Sequence, residues 1–138
     1  MYRCELKCFD GRGELLFAMS IEGTAKAGAA CDALRQCPDI KGLEITAVTP
    51  GYSEDAPGDN QLGALRVGVE IPLLLVRAAA SLPHAKGCSL QLSLPATDTA
   101  LGRATKAFWE AWLLSTENVD SRFNGVTVSP RGVPADEP

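Results

Sequence analysis

Six short segments of this chain alternate apolar and polar residues, and that period of two restricts the fold more than any other feature. Residues 2–9 put Tyr2, Cys4, Leu6 and Cys8 on one face and Arg3, Glu5 and Lys7 on the other. Residues 14–21 repeat the pattern with Leu15, Phe17, Met19 and Ile21. It recurs at 42–48 (Leu43, Ile45, Ala47), 64–71 (Leu65, Val67, Val69, Ile71) and 88–94 (Cys88, Leu90, Leu92, Leu94). Residues 122–129 close the set, with a bulge expected at Asn124-Gly125. Successive side chains of a strand point to opposite faces, so each run reads as a strand with one face buried. Asp10-Gly11-Arg12-Gly13 joins the first two, and Asp-Gly is a strong hairpin signal.

Three helices fit between these runs. Residues 25–36 carry an apolar stripe of Ala27, Ala30, Cys31 and Leu34, with Thr24 placed to cap it and Pro38 to end it. Pro72 suits a first helical turn, so residues 73–82 read as a helix; Arg77 is its only charge. Asp98 can cap a longer helix over 99–115, striped by Leu101, Ala104, Thr105, Phe108 and Trp112. Residues 49–63, with two prolines and three glycines, read as a long loop. The order predicts an α+β fold: a two-layer, mixed, mostly antiparallel sheet of about five to six strands. Two to three helices pack mainly on one face. Residues 1–129 form a single domain in this reading, and 130–138, Pro-rich and acidic, a disordered tail.

A 138-residue chain can hide roughly 68% of its unfolded surface, enough for a core without disulfides or metal. Five cysteines at irregular spacing, with no apolar leader, suit a reducing cytoplasm. The longest apolar stretch, 71–82, contains Pro72 and Arg77 and is too short to span a bilayer. The net charge of −4 and scattered Lys and Arg argue against nucleic-acid binding; the charge serves solubility or, in the sharper reading, a basic protein partner.

Chemistry-bearing constellations are sparse. Cys4 and Cys8 lie four apart on a strand, roughly 13 Å, so they cannot share one metal ion. No Cys-x-x-Cys, Walker or Gly-x-Ser-x-Gly motif occurs, and no metal or cofactor is expected. His84 is the sole histidine; with Cys88 it is the one pairing that could offer a base and a nucleophile. Glu54, Asp55 and Asp59, with Tyr52, make the 49–63 loop an acidic contact surface, but their spacing is wrong for a calcium loop. Trp109 and Trp112 share one helix with Phe108 and Leu113, a stripe wider than one sheet contact needs. Core packing is the plain reading of that stripe; the functional one makes these four residues the anchors of a homodimer. The sequence therefore reads as a non-catalytic protein-binding or accessory module, a homodimer. The alternative is a small enzyme or small-molecule binder with a pocket between the sheet and the 49–63 loop.

Overall fold

The computed structural model describes residues 2–53, 55, 58–85, 87–93, 99–113 and 123–129. The opening hairpin forms where its sequence implies, with one correction: Leu15 faces Phe9 and Phe17 faces Cys8, so Leu16 is an extra residue and Leu15 does not share a face with Phe17, Met19 and Ile21. Strands β1 (Arg3–Phe9) and β2 (Leu15–Ile21) pair antiparallel, with Leu6 opposite Met19 and Cys8 opposite Phe17. Asp10 organises the turn: its Oδ1 accepts from the N–H groups of Arg12 at 2.8 Å and Glu14 at 2.9 Å. Gly13 sits at φ 80°, in the left-handed region where a side chain would be strained.

Helix α1 (Thr24–Arg35) starts one residue earlier than expected, because Gly23 rather than Thr24 is its N-cap. It buries Ala27, Ala30 and Leu34 and leads into strand β3 (Gly42–Val48), which pairs antiparallel with β1.

The segment expected to be a loop and then a strand is helical instead. Helix α2 (Gly58–Leu65), a π-helical turn (Arg66–Glu70) and helix α3 (Ile71–Ser81) follow one another without a gap. The expected strand at 64–71 does not exist, and α2 begins at Gly58, inside the loop expected over 49–63. Ala64, Val67, Gly68, Ile71, Pro72, Leu75, Val76 and Ala79 are buried, which is the period of a helix. Pro72 explains the π turn. It has no N–H to offer the Gly68 carbonyl, and its ring would collide with that carbonyl in a regular α-helix. The backbone widens, and the Ile71 N–H donates to the Arg66 carbonyl, five residues back.

A 3₁₀ turn (Pro83–Ala85) leads into strand β4 (Cys88–Ser93). Helix α4 (Ala100–Leu113) begins where the Thr99 hydroxyl accepts the Gly102 N–H at 2.9 Å. Asp98, the expected cap, lies outside the described residues, as does the 130–138 tail. Strand β5 (Phe123–Ser129) pairs with β4. Its register skips Asn124, because Cys88 faces Phe123 and Ser89 faces Gly125, so the expected bulge is present.

The five strands form one mixed sheet in the order β2-β1-β3-β4-β5. The expectation of a mostly antiparallel sheet is corrected: β1 pairs antiparallel with β2 and β3, while β3–β4 and β4–β5 are parallel. Parallel neighbours need a long crossover, and the helices supply it. From β3 the strands advance in one direction, so crossovers of constant right hand place their helices on the same face. That face holds the core: Cys4, Leu6 and Cys8, Ile45, Leu90 and Leu92 pack with Leu34, Val67, Leu75 and Trp109. On the opposite face the strands turn Lys7, Glu44, Thr46 and Gln91 outwards.

Candidate functional site

The aromatic helix was the strongest functional signal in the sequence, and the structure divides it. Trp109 is fully buried, and its Nε1–H donates to the Gly68 carbonyl at 2.8 Å. That is the carbonyl to which Pro72, four residues on, can offer no N–H. The indole thus satisfies a buried acceptor that would otherwise cost stability. Trp109 is a core residue joining α4 to the π turn, not a surface anchor. Trp112 is half-buried and stacks edge-on against Trp109, with ring centres 5.5 Å apart. Phe108 touches the other side of Trp109, 5.4 Å between centres, yet is 37% exposed. Leu113 ends α4.

His84 and Cys88 do not make a catalytic pair. His84 Nε2–H donates to the Leu34 carbonyl at 2.9 Å, near the end of α1. Cys88 is buried, and its thiol donates to the Ile40 carbonyl at 3.2 Å. Burial pushes the Cys88 thiol up, although Lys41 pulls it back. Burial likewise pushes Cys4 and Cys8 up to about 12, with Glu5 adding to the shift at Cys4, and Cys37 and Cys88 adding to that at Cys8. A thiolate is the reactive form, so these three are poor nucleophiles. All five cysteines are free, and among the described residues no group of His, Cys, Asp or Glu could hold a metal ion.

The acidic loop is dispersed. Tyr52 lies edge-on to Tyr2, 6.3 Å between ring centres; Asp55 is exposed; Asp59 has become a first-turn residue of α2. Glu54 lies outside the described residues. A groove of about 420 Å³ opens here, lined by Tyr2, Glu22, Asp59, Asn60 and Arg66 among others. Of the loop and pocket residues expected from sequence, only Asp59 lines it among the described residues. The Tyr2 ring rests against Gly63, and its hydroxyl is buried without a hydrogen-bond partner among the described residues. Burial, and then Tyr52, raises the pKa of that hydroxyl. Arg66 reaches Glu70 at 3.9 Å. The groove can hold a small polar molecule, but nothing in it pairs a nucleophile with a base.

Sequence reasoning missed a second set of exposed apolar residues. Leu62 is 63% and Leu65 38% exposed on α2, which packs against α4. The sequence pattern places Leu62 in a loop and Leu65 on a strand's inner face. The i, i+3 spacing of the two leucines ahead of a buried helical period was the available signal. At the sheet edge, Leu15 is 54% and Leu16 36% exposed on β2. No helix among the described residues is long and apolar enough to cross a membrane. No protein-family model matches the chain, and no curated protein or solved structure matches it either.

Proposed function

We propose that this chain is a non-catalytic protein-binding module that works as a homodimer. The observation that carries the reading is the set of exposed apolar side chains on two helices that pack together: Leu62 and Leu65 on α2 and Phe108 on α4, with the half-buried Trp112 one turn beyond Phe108. Large exposed apolar residues gathered on one face mark interaction sites more often than isolated ones do. With Trp109 in the core, Phe108 and Trp112 remain as the aromatic anchors of this face. A net charge of −4 and the exposed Asp55 and Asp59 favour a basic partner. The five free thiols favour a reducing compartment such as the cytoplasm.

The test pairs light scattering with affinity capture from the native host. The tagged protein should show a mass that rises to a dimer with concentration and should retain a defined partner. Leu62→Lys with Phe108→Glu should lose the partner while keeping the buried-tryptophan fluorescence of the folded chain. A monomer that retains nothing would end the reading.

A second reading, a small-molecule binder, is favoured by the Tyr2 hydroxyl, buried and unpaired beside the groove. In that reading Tyr2→Phe abolishes ligand binding. Otherwise the same change is neutral or stabilising, because it removes an unsatisfied polar atom. Thermal shift against a panel of small polar metabolites distinguishes the two outcomes.

A further inference from the structure

We infer that two copies of the chain join at the outer edge of β2, pairing β2 antiparallel with β2 of the second copy about a two-fold axis near Ala18. The inference rests on the self-association reading above and names its surface, leaving the α2–α4 face for a different protein.

The edge is the first observation. β2 ends the sheet, with β1 on its inner side and no strand on its outer side among the described residues. In an antiparallel ladder every second residue of such a strand turns both N–H and C=O outwards, ready to accept another strand. Natural sheets guard such edges with lysine, proline, bulges or an overlying segment. β2 reads Leu-Leu-Phe-Ala-Met-Ser-Ile, with no charge, no proline and no glycine, and its one bulge sits at its start, where Leu16 is skipped, leaving Phe17–Ile21 regular. Leu15 and Leu16 stand in solvent, and Phe17 and Met19 are only half-buried although they face the helix layer. The neighbouring β1, inside the sheet, carries Arg3, Glu5 and Lys7. The strand that needs protective charge lacks it, and the strand that needs none has it.

The second observation is self-compatibility, which selects a second copy as the occupant. A two-fold axis brings residues towards the same set of residues, and like charges placed opposite one another repel. A strand without charges has no such repulsion. With the axis at Ala18, the middle of the seven residues, Phe17 meets Met19 on the helix side and Leu16 meets Ser20 on the other, while Leu15, which pairs with Phe9 beyond the register shift, lies outside this ladder. The Phe17–Met19 pairing, made twice about the axis, extends the core outwards.

The third observation is the helix over this edge. Cys31 Sγ donates to the Leu74 carbonyl at 3.9 Å, which fixes the side of α1 that faces α3. At helical spacing, the side turned away from α3 holds Lys26, Ala29 and Ala33. Two alanines leave room for a second α1, and Lys26 can reach past them to water. Ala18 lies about 10 Å before the end of β2 at roughly 3.4 Å per residue. Ala29 lies about 8 Å into α1 at roughly 1.5 Å per residue. One axis can therefore pass near both, joining the sheets and the helix layers together.

The experiment combines light scattering with a cross-link. Ala18 is exposed, so Ala18→Lys keeps the fold; it should weaken dimerisation about thirtyfold or more, the loss expected for a disrupted central contact. Ala29→Glu should act in the same direction from the helix layer, and Phe108→Glu should leave the dimer intact. Cα atoms opposite one another in an antiparallel pair lie about 4.5–5.5 Å apart, within disulfide range. Ala18→Cys should therefore give a covalent dimer on mild oxidation, where the wild-type chain gives none. A dimer that survives Ala18→Lys, shows no cross-link and dissociates with Phe108→Glu overturns the β2 assignment and leaves self-association standing. A wild-type chain that stays monomeric at every concentration overturns both.

Discussion

The two halves of the sheet are held by different means. In the antiparallel half, β2, β1 and β3 are neighbours within the first 48 residues, and the link from β1 to β2 is a turn whose hydrogen bonds span four residues at most. In the parallel half, β3, β4 and β5 each wait for a helix to bring the chain back. A hydrogen bond from Trp109 to Gly68, 41 residues away, ties α4 to the π turn. Stability in the first half is spread along a ladder and a tight turn. In the second it is concentrated where Pro72 interrupts a helix and a tryptophan repairs the damage.

The sharpest break of that comparison is at Trp109. Trp109→Ala removes the largest fully buried side chain and should cost about 3–5 kcal/mol in urea denaturation. Trp109→Phe keeps most of the volume but strands the Gly68 carbonyl, at about 1–3 kcal/mol. Pro72→Ala restores a peptide N–H four residues beyond Gly68. In that background Trp109→Phe should cost less, by about 0.5 kcal/mol or more, because the carbonyl has a second donor. Strictly additive costs would show that the indole bond does not compensate for the proline.

The same asymmetry governs what could be read in advance. The hairpin was legible because Asp10-Gly11 and two runs of clean alternation act within a few residues of each other. So was the Asn124 bulge, where a glycine follows an asparagine inside a strand pattern. Residues 64–71 were not legible. Leu65, Val67, Val69 and Ile71 alternate as a strand would, and Gly58, Gly63 and Gly68 argue against a helix. The helical period there emerges only when Gly68 and Pro72 are counted as buried positions, and Gly68 is buried because Trp109 sits on it. Of the candidate site, Phe108 and Trp112 were read from their spacing, whereas the burial of Trp109 depends on that same distant contact. Leu62 and Leu65 were lost with the helix that carries them.

Cysteine ionisation tests the two halves with a smaller effect. Cys4 and Cys8 on β1 have pKa values near 12 against an ordinary 9.0, because burial disfavours the thiolate. In the unfolded chain these protons leave first. The thiols' contribution to stability is therefore complete below pH 9 and is lost as pH rises from 9 towards 12. Denaturation midpoints should fall through that range, and less steeply in Cys8→Ala. Below it, alkylation should label Cys31 and Cys37, which are half-buried, well before Cys4, Cys8 or Cys88. Early labelling of Cys4 would mean that the antiparallel half opens locally, contrary to the comparison above.

The smallest effect probes the local half at its origin. Asp10 Oδ1 accepts two backbone N–H groups across the turn, and the Asp10 N–H and carbonyl close it from the other side through Glu14 and Gly13. Asp10→Ala removes only the side-chain acceptor. The two freed N–H groups are solvent-exposed and can bond water, so the cost should be about 1 kcal/mol, the net value of a hydrogen bond. Asp10→Asn keeps an acceptor oxygen and should recover most of it. Because the bonds are local, the loss should fall on the hairpin. Hydrogen exchange in β2 should quicken, while the Trp109 indole proton, held by the parallel half, should exchange as slowly as before. Equal acceleration at both would show that the halves unfold as one unit and that the turn contributes to the whole sheet.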